Sequence, residues 1–449
     1  MIKFLVNKIN RGEKVFDLIV KNGWILTIDE NFTEYRNGYI AVKDGIIQEV
    51  GDNLPEGYQA KEIIDAKGNI VLPGFVNTHT HAAMTLLRGY GSDNPLKVWL
   101  EKYIWPVEGK FVSYEFVKDG TDIACYEMIR NGITVFVDMY FYENAVADSV
   151  LKSGMRAVLC TGILDFPTPG AKTPEEGIEK TKDFIKEYKN NPYIYPCVGP
   201  HAPYTCSPKT LNMAMEVAES YDTLFHIHVS ETIHEVEDIK TRYRNTPVKH
   251  LKEVGVLNDR VLAAHMVHPT EEEIDLLAEY KVKVAHCPES NLKLASGIAP
   301  VPKMIEKGIT VGIGTDGTAS NDDLDVIGEI STAAKLHKGY NMNPTLLTAK
   351  QSIAMATREG AKAVRLDNKL GTIKKGKFAD FIIIDINQPH LQPMYDPYIQ
   401  IVYSAKGLDV DTVVVNGKIL MKNKVVLTVE KEKVLETAKK WYEMIRKES

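Results

Sequence analysis

"LPGFVNTHTHAAM", residues 72–84, closes an apolar run with Pro73 and Gly74 and then sets His79 and His81 one residue apart. On an extended strand, side chains at i and i+2 share a face, so the two imidazoles project together from Cα atoms roughly 6.5 Å apart. From there both rings can reach one metal ion, or they can form a hydrogen-bonded surface pair. An isolated H-x-H fits the second description better than the first. The rest of the chain decides between them.

That run is the first of eight. Further Val-, Ile- and Leu-rich strand candidates fall at 133–140, 156–165, 194–200, 223–229, 261–267, 281–287 and 309–315, after the first at 70–78. Most intervals between them carry helical patterns, such as "FVSYEFVKDGTDIACYEMIRNG" and "TEEEIDLLAEYK". Eight strands alternating with helices, apolar enough to be covered on both faces, predict an α/β fold of the (β/α)8 TIM-barrel class. A doubly wound open sheet is the alternative that periodicity leaves open.

A barrel makes a sharper demand, because its chemistry sits at the C-terminal ends of the strands. The first run ends in His79 and His81, the fourth in "GPHAPY" with His201, and the fifth in "FHIHVSE" with His226, His228 and Glu231. The sixth ends in "AAHMVH" with His265 and His268, the seventh in "AHCPESN" with His286, and the eighth in "GIGTDG" with Asp316. Eight of the twelve histidines thus collect where apolar runs stop, which scattered core or surface histidines would not do.

The flanks read differently. "FDLIVKNGWILTID", "NGYIAVKDGIIQEVG" and "KEIIDAKGNIVLPG" are short strands with N-G and D-G hairpin signals, and the style returns in "GTIKKGKFADFIIIDI" and "VDTVVVNGKILMKNKVVL". Residues 1–72 and 372–449 are therefore expected to form one small β-sandwich domain, closed by an amphipathic helix at 429–447, around a barrel of residues 73–371. With 449 residues, 44% apolar and 25% charged, and a net charge of -6, the composition is that of a globular protein without a basic patch for nucleic acid or anionic lipid. Cys125, Cys160, Cys197, Cys206 and Cys287 are odd in number and widely spaced, so neither a disulfide scaffold nor a thiolate zinc site is expected. The N-terminal apolar run is too short for a signal peptide, and no segment approaches a membrane span. A cytoplasmic location is the expectation.

Three or more N/O ligands with an open position for water make a catalytic metal site. His79, His81, Asp316 and one of His226 and His228 supply such a set, and spacing does not choose between the last two. A bridging lysine at the fourth strand end would signal two metals, but that run ends in His201 with no lysine before Lys209, so one metal is expected. Glu231, three residues past His228, is placed to move a proton near the metal; as a bland alternative it is a carboxylate favoured at a helix N-terminus. His265 is a candidate for handling the water. His268 and His286 read as hydrogen-bonded wall positions. "GIGTDG" matches G-x-G-x-x-G, but it lies at the eighth strand with no first-half βαβ unit around it, and Asp316 would face a pyrophosphate, so a dinucleotide role is rejected. "HEVED" lacks the second histidine of H-E-x-x-H, and the P-C-x-x-C pair of the zinc nucleobase deaminases is missing.

With "LPGFVNTHTH", "GPHAPY", "HIHVSET", "AAHMVH", "SNLKLASGIAPV" and "GTDGTASNDDLD" in order, the chain resembles the amidohydrolase superfamily, and within it the 5-methylthioadenosine/S-adenosylhomocysteine deaminases. The resemblance implies one zinc, with iron or manganese as substitutes, held by His79, His81, His228 and Asp316. It implies zinc-activated hydroxide attacking purine C6 of an adenosine-type nucleoside (5-methylthioadenosine, S-adenosylhomocysteine, 5-deoxyadenosine or adenosine), giving an inosine-type product and ammonia. Glu231 is implied as the acid/base at N1, His265 and Asp316 as the groups handling water, and Glu108, Arg156 and His201, with Glu231 and Asp316, as substrate contacts. A homo-oligomer is also expected. The loop "DFPTPGAKTPEEG" offers Lys172, without arginine's fork, for a homocysteine carboxylate. The rivals are the same barrel acting on guanine or a triazine, and a non-catalytic scaffold.

Overall fold

Gly74 is where the chain passes from one sheet to another. The computed structural model describes residues 14–448, so the reading of the extreme N-terminus lies outside the described residues. The first apolar run, expected as one strand, is two. Ile70–Pro73 pairs antiparallel with Phe381–Ile384 in the small domain, and Phe75–Thr80 opens the barrel. A Cβ at position 74 would overlap the Thr134 side chain, so only glycine lets the chain cross between the sheets there.

The barrel strands follow in order as parallel neighbours: Phe75–Thr80, Ile133–Tyr140, Arg156–Ile163, Ile194–Pro200, Phe225–Val229, Val261–His265, Lys283–His286 and Val311–Ile313. The eighth returns to the first. The Asp316 amide donates to the His79 carbonyl at 2.9 Å, and Asn77 accepts from the Thr315 amide at 3.0 Å. A Cβ at Gly312 would stand 2.5 Å from Thr78 Cγ2, which is how closely these two strands approach. This near-closure rules out the doubly wound alternative. Val135, Val137, Val158, Leu224 and Leu262 fill part of the interior as one buried cluster.

The small domain is one hydrogen-bonded, mixed sheet of nine strands drawn from both ends of the described chain. It curls so that Val42 in an early strand meets Gly417 in a late hairpin, enclosing a core of Val20, Ile40, Val71, Phe381 and Val414. Asp44-Gly45 and Asn416-Gly417 make tight turns with positive φ at both residues, as their sequences predict. Asn22-Gly23, expected as a turn, lies inside the strand Lys14–Leu26 at a register shift. The C-terminal helix, Lys431–Glu448, packs on barrel helix Tyr114–Arg130 rather than on the small sheet. Trp441 stacks edge-on against Phe116 at 5.1 Å and donates its indole N–H to Asp119 at 2.8 Å.

One cysteine expectation is corrected. Cys160 and Cys197 form a disulfide, because they sit directly opposite one another on neighbouring parallel strands with Cα atoms 4.7 Å apart. Sequence spacing does not reveal such a cross-strand register. No helix among the described residues is long and apolar enough to cross a membrane.

Candidate active site

A relay of hydrogen bonds fixes the lone pair of the first histidine. His226 Nδ1 donates to the Leu262 carbonyl at 2.9 Å, which leaves its Nε2 free to accept. Burial, then the neighbouring His79, holds His226 well below the usual imidazole range and so neutral. Its Nε2 lies 2.8 Å from His79 Nδ1, so His79 is the donor there and presents an unprotonated Nε2 to the cleft. That atom is fully buried and makes no hydrogen bond.

The other histidines are held in the same way. His81 Nδ1 donates to the Met139 carbonyl at 2.6 Å, and His228 Nδ1 to the His201 carbonyl at 2.7 Å. Burial pushes His79 down to about 4 and His228 well below its ordinary value, so both are neutral at pH 7. Asp316 Oδ1 stands 3.5 Å from His79 Nε2 and 3.4 Å from His81 Nε2, while its other oxygen accepts from Ser290 Oγ at 2.6 Å. Burial would raise this carboxyl, but the nearness of His79, then of His265 and His81, keeps it well below the carboxylate range. Ligand atoms of His79, His81 and Asp316 lie within 4.8 Å of one another, as do those of His79, His228 and His265. Neutral imidazoles fixed through Nδ1, a buried carboxylate and an orphaned Nε2 suit a divalent cation of zinc type. His226 belongs behind His79; His228 faces the cleft.

Glu231 lies beside this group. Its Oε1 accepts from Ser296 Oγ at 3.4 Å, and Oε2 is 3.8 Å from His265 Nε2. Burial raises its pKa. His265, buried yet facing Glu231 and Asp316, is raised as well, and its Nδ1 is tied to Asn291 Oδ1 at 2.9 Å. Both shifts favour the protonated form. His268 and His286 do not line the cleft: His268 Nε2 donates to the Ser296 carbonyl at 2.6 Å, and His286 is buried facing His337.

Above the floor is a cleft of about 1100 Å³, counted out to its open mouth. One wall is the helical segment Leu96–Phe111, which contains a π-helical turn at Leu100–Ile104, a local irregularity common at functional sites. Glu108 enters from this wall, buried and pushed up to about 7 by that burial, which the Tyr140 hydroxyl, 2.6 Å away, partly opposes. His201 also lines the cleft, its Nδ1 bonded to Thr205 Oγ1 at 2.9 Å.

Arg156 does not join them. It begins its strand, so it lies at the opposite end of the barrel, where Nε donates to Asp380 Oδ2 at 2.6 Å and Nη2 to Asn416 Oδ1 at 2.9 Å. Its expected substrate contact is corrected to an ion pair with the small domain. Two contributors escaped sequence reasoning. Glu235 accepts from the amides of Ser230 and Glu231 at 2.9 and 2.8 Å, and the T-x-x-E spacing of Thr232 and Glu235 was its visible sign. Tyr140 carried no local signal.

The amidohydrolase family model matches residues 70–420. A 5-methylthioadenosine/S-adenosylhomocysteine deaminase of Aquifex aeolicus is 51% identical over 430 residues, covering 96% of this chain and 98% of the relative. A 5'-deoxyadenosine deaminase of Methanosarcina acetivorans is 46% identical, covering 94% and 97%. The crystal structure of an adenosine deaminase from Xanthomonas campestris with bound zinc superposes with a TM-score of 0.94 at 35% identity, over 97% of this chain and all of that one. With a match across the whole barrel and relatives this similar end to end, the chain belongs to the amidohydrolase family.

Proposed function

We propose that the protein is a zinc-dependent aminohydrolase that converts adenosine-type nucleosides to inosine-type products and ammonia. The observation that carries this reading is a pair of ligand groups sharing His79, one with His81 and Asp316 and the other with His228 and His265, beside a buried acid whose pKa is raised; of these, His79, His81, His228 and Asp316 would hold the metal. Zinc in this set supplies a Lewis acid that brings the pKa of a water down toward ~7. The residues of the chain do the rest. His265 and Asp316 take up the proton released as water adds to purine C6. Glu231, protonated more readily than an exposed glutamate, donates to N1 as the ring loses aromaticity. A proton then returns to the amino group, the C6–N bond breaks, and ammonia leaves. Glu108 accepts from the ribose hydroxyls, and His201 borders the purine.

Among nucleosides, those with an uncharged 5-substituent fit best. No lysine or arginine lines the cleft among the described residues, and Leu96, Leu100, Trp105 and Phe166 contribute apolar wall. A panel of methylthioadenosine, 5-deoxyadenosine, adenosine, S-adenosylhomocysteine, guanine and an aminotriazine, read by ammonia release, tests the proposal. Turnover concentrated in the adenosine-type members supports it. Turnover of guanine or the triazine alone overturns it.

A further inference from the structure

Tyr140 ends the second barrel strand, and its hydroxyl donates to Glu108 Oε1 at 2.6 Å with both side chains buried. The residue before it, Met139, accepts from the ligand His81 at 2.6 Å through its carbonyl. Asp138 accepts from the Ala82 amide at 2.6 Å, and Glu143 accepts from the Tyr140 amide at 2.8 Å. One strand end therefore grips a metal-site histidine through its backbone and the cleft carboxylate through the adjacent side chain. A glutamate has three rotatable bonds, and burying its carboxylate is costly unless a donor satisfies it. A short O–H···O bond to a carboxylate is among the stronger hydrogen bonds.

We propose that Tyr140 is a positioning residue for nucleoside binding: its hydroxyl fixes the Glu108 carboxylate relative to His81 so that it accepts from the 2'- and 3'-hydroxyls of a ribose. Discrimination between ribo- and 2'-deoxyribonucleosides then depends on Tyr140, although Tyr140 itself touches no reacting atom. The inference rests on the deaminase reading above. Phenylalanine at 140 keeps the ring packed 5.2 Å from Phe141 and removes one oxygen.

The test is steady-state kinetics of the zinc-loaded wild type, Tyr140→Phe, Glu108→Gln and the double variant on adenosine and 2'-deoxyadenosine. Loss of a hydrogen bond to a charged group predicts that Tyr140→Phe raises KM for adenosine about tenfold or more, with kcat within about threefold. The adenosine/2'-deoxyadenosine ratio of kcat/KM shrinks, and the double variant is no worse than Glu108→Gln. Wild-type kinetics in Tyr140→Phe, a fall in kcat alone, or full additivity with Glu108→Gln overturns the proposal. If Glu108→Gln binds adenosine as the wild type does, the ribose contact and Tyr140's role both fall while the deaminase reading stands. If the wild type deaminates no adenosine-type nucleoside, the deaminase reading itself has failed.

Discussion

Glu231 sits under opposing influences. Burial favours its neutral, proton-donating form, while His265 and Ser296 favour the carboxylate. A group balanced in this way can give a proton to a ring nitrogen and recover it, which ordinary glutamates do poorly at pH 7. Glu231→Gln removes the transferable proton without removing a metal ligand. It is expected to retain the metal, checked by elemental analysis, and to lose roughly 10²–10⁴-fold in kcat. Glu108 makes a second prediction. Its pKa of about 7 belongs to the free protein, so kcat/KM falls as pH drops through that value and the acceptor becomes protonated. In Glu108→Gln the Glu108-dependent part of that acid limb is absent, as a pH profile of kcat/KM would show. His79, His81 and Asp316 were legible from spacing, because a strand's two-residue period and the barrel's polarity place them. The choice of His228 over His226 was not, since both rings share one face and both donate Nδ1 to a backbone carbonyl; what distinguishes them is that His226 Nε2 is occupied by His79.

The working side chains lie on strand ends that turn abruptly. Ser230, His265 and Asp316 adopt φ of 54°, 72° and 62°, a left-handed region that costs a non-glycine residue about 1–2 kcal/mol. Backbone bonds hold these turns in place. Glu235 clasps the amides of Ser230 and Glu231, so the turn carrying the acid is anchored by the helix that follows it, Ile233–Tyr243. Glu235→Ala releases the clasp. It is expected to lower kcat by about tenfold or more through misplacement of Glu231, with metal content unchanged, as paired kinetics and metal analysis would reveal. The strands themselves were evident in the sequence to within a few residues. What it hid was the break at Gly74, because the apolar run continues through it while the hydrogen-bonding partner changes from one sheet to another.

At the scale of the molecule, the barrel and the small sheet are joined by a buried ion pair. Arg156 and Asp380 are almost wholly enclosed, with Asn416 and the Pro192 carbonyl completing the guanidinium's partners. Asp380→Ala leaves that cation unpaired in the interior and is expected to cost about 3–5 kcal/mol in stability. Thermal or denaturant unfolding would measure it, and KM of the folded fraction should be unaffected, since Arg156 is remote from the cleft. The sequence concealed this role because Arg156 begins its apolar run rather than ending it, and its partner lies 224 residues away. The Cys160–Cys197 pair was hidden for the same reason: it depends on the register of neighbouring strands, which no local pattern encodes. The barrel was readable because polar residues gather at one end of six of the eight repeats, and the closing contact between Asp316 and His79 joins the last of those ends to the first.

The central claim is tested most directly by ammonia release from methylthioadenosine, compared between the zinc-loaded wild type and Glu231→Gln at equal metal content. The account predicts one ammonia per inosine-type product from the wild type and almost none from the variant. Equal release from both proteins, or none from the metal-replete wild type, would contradict it.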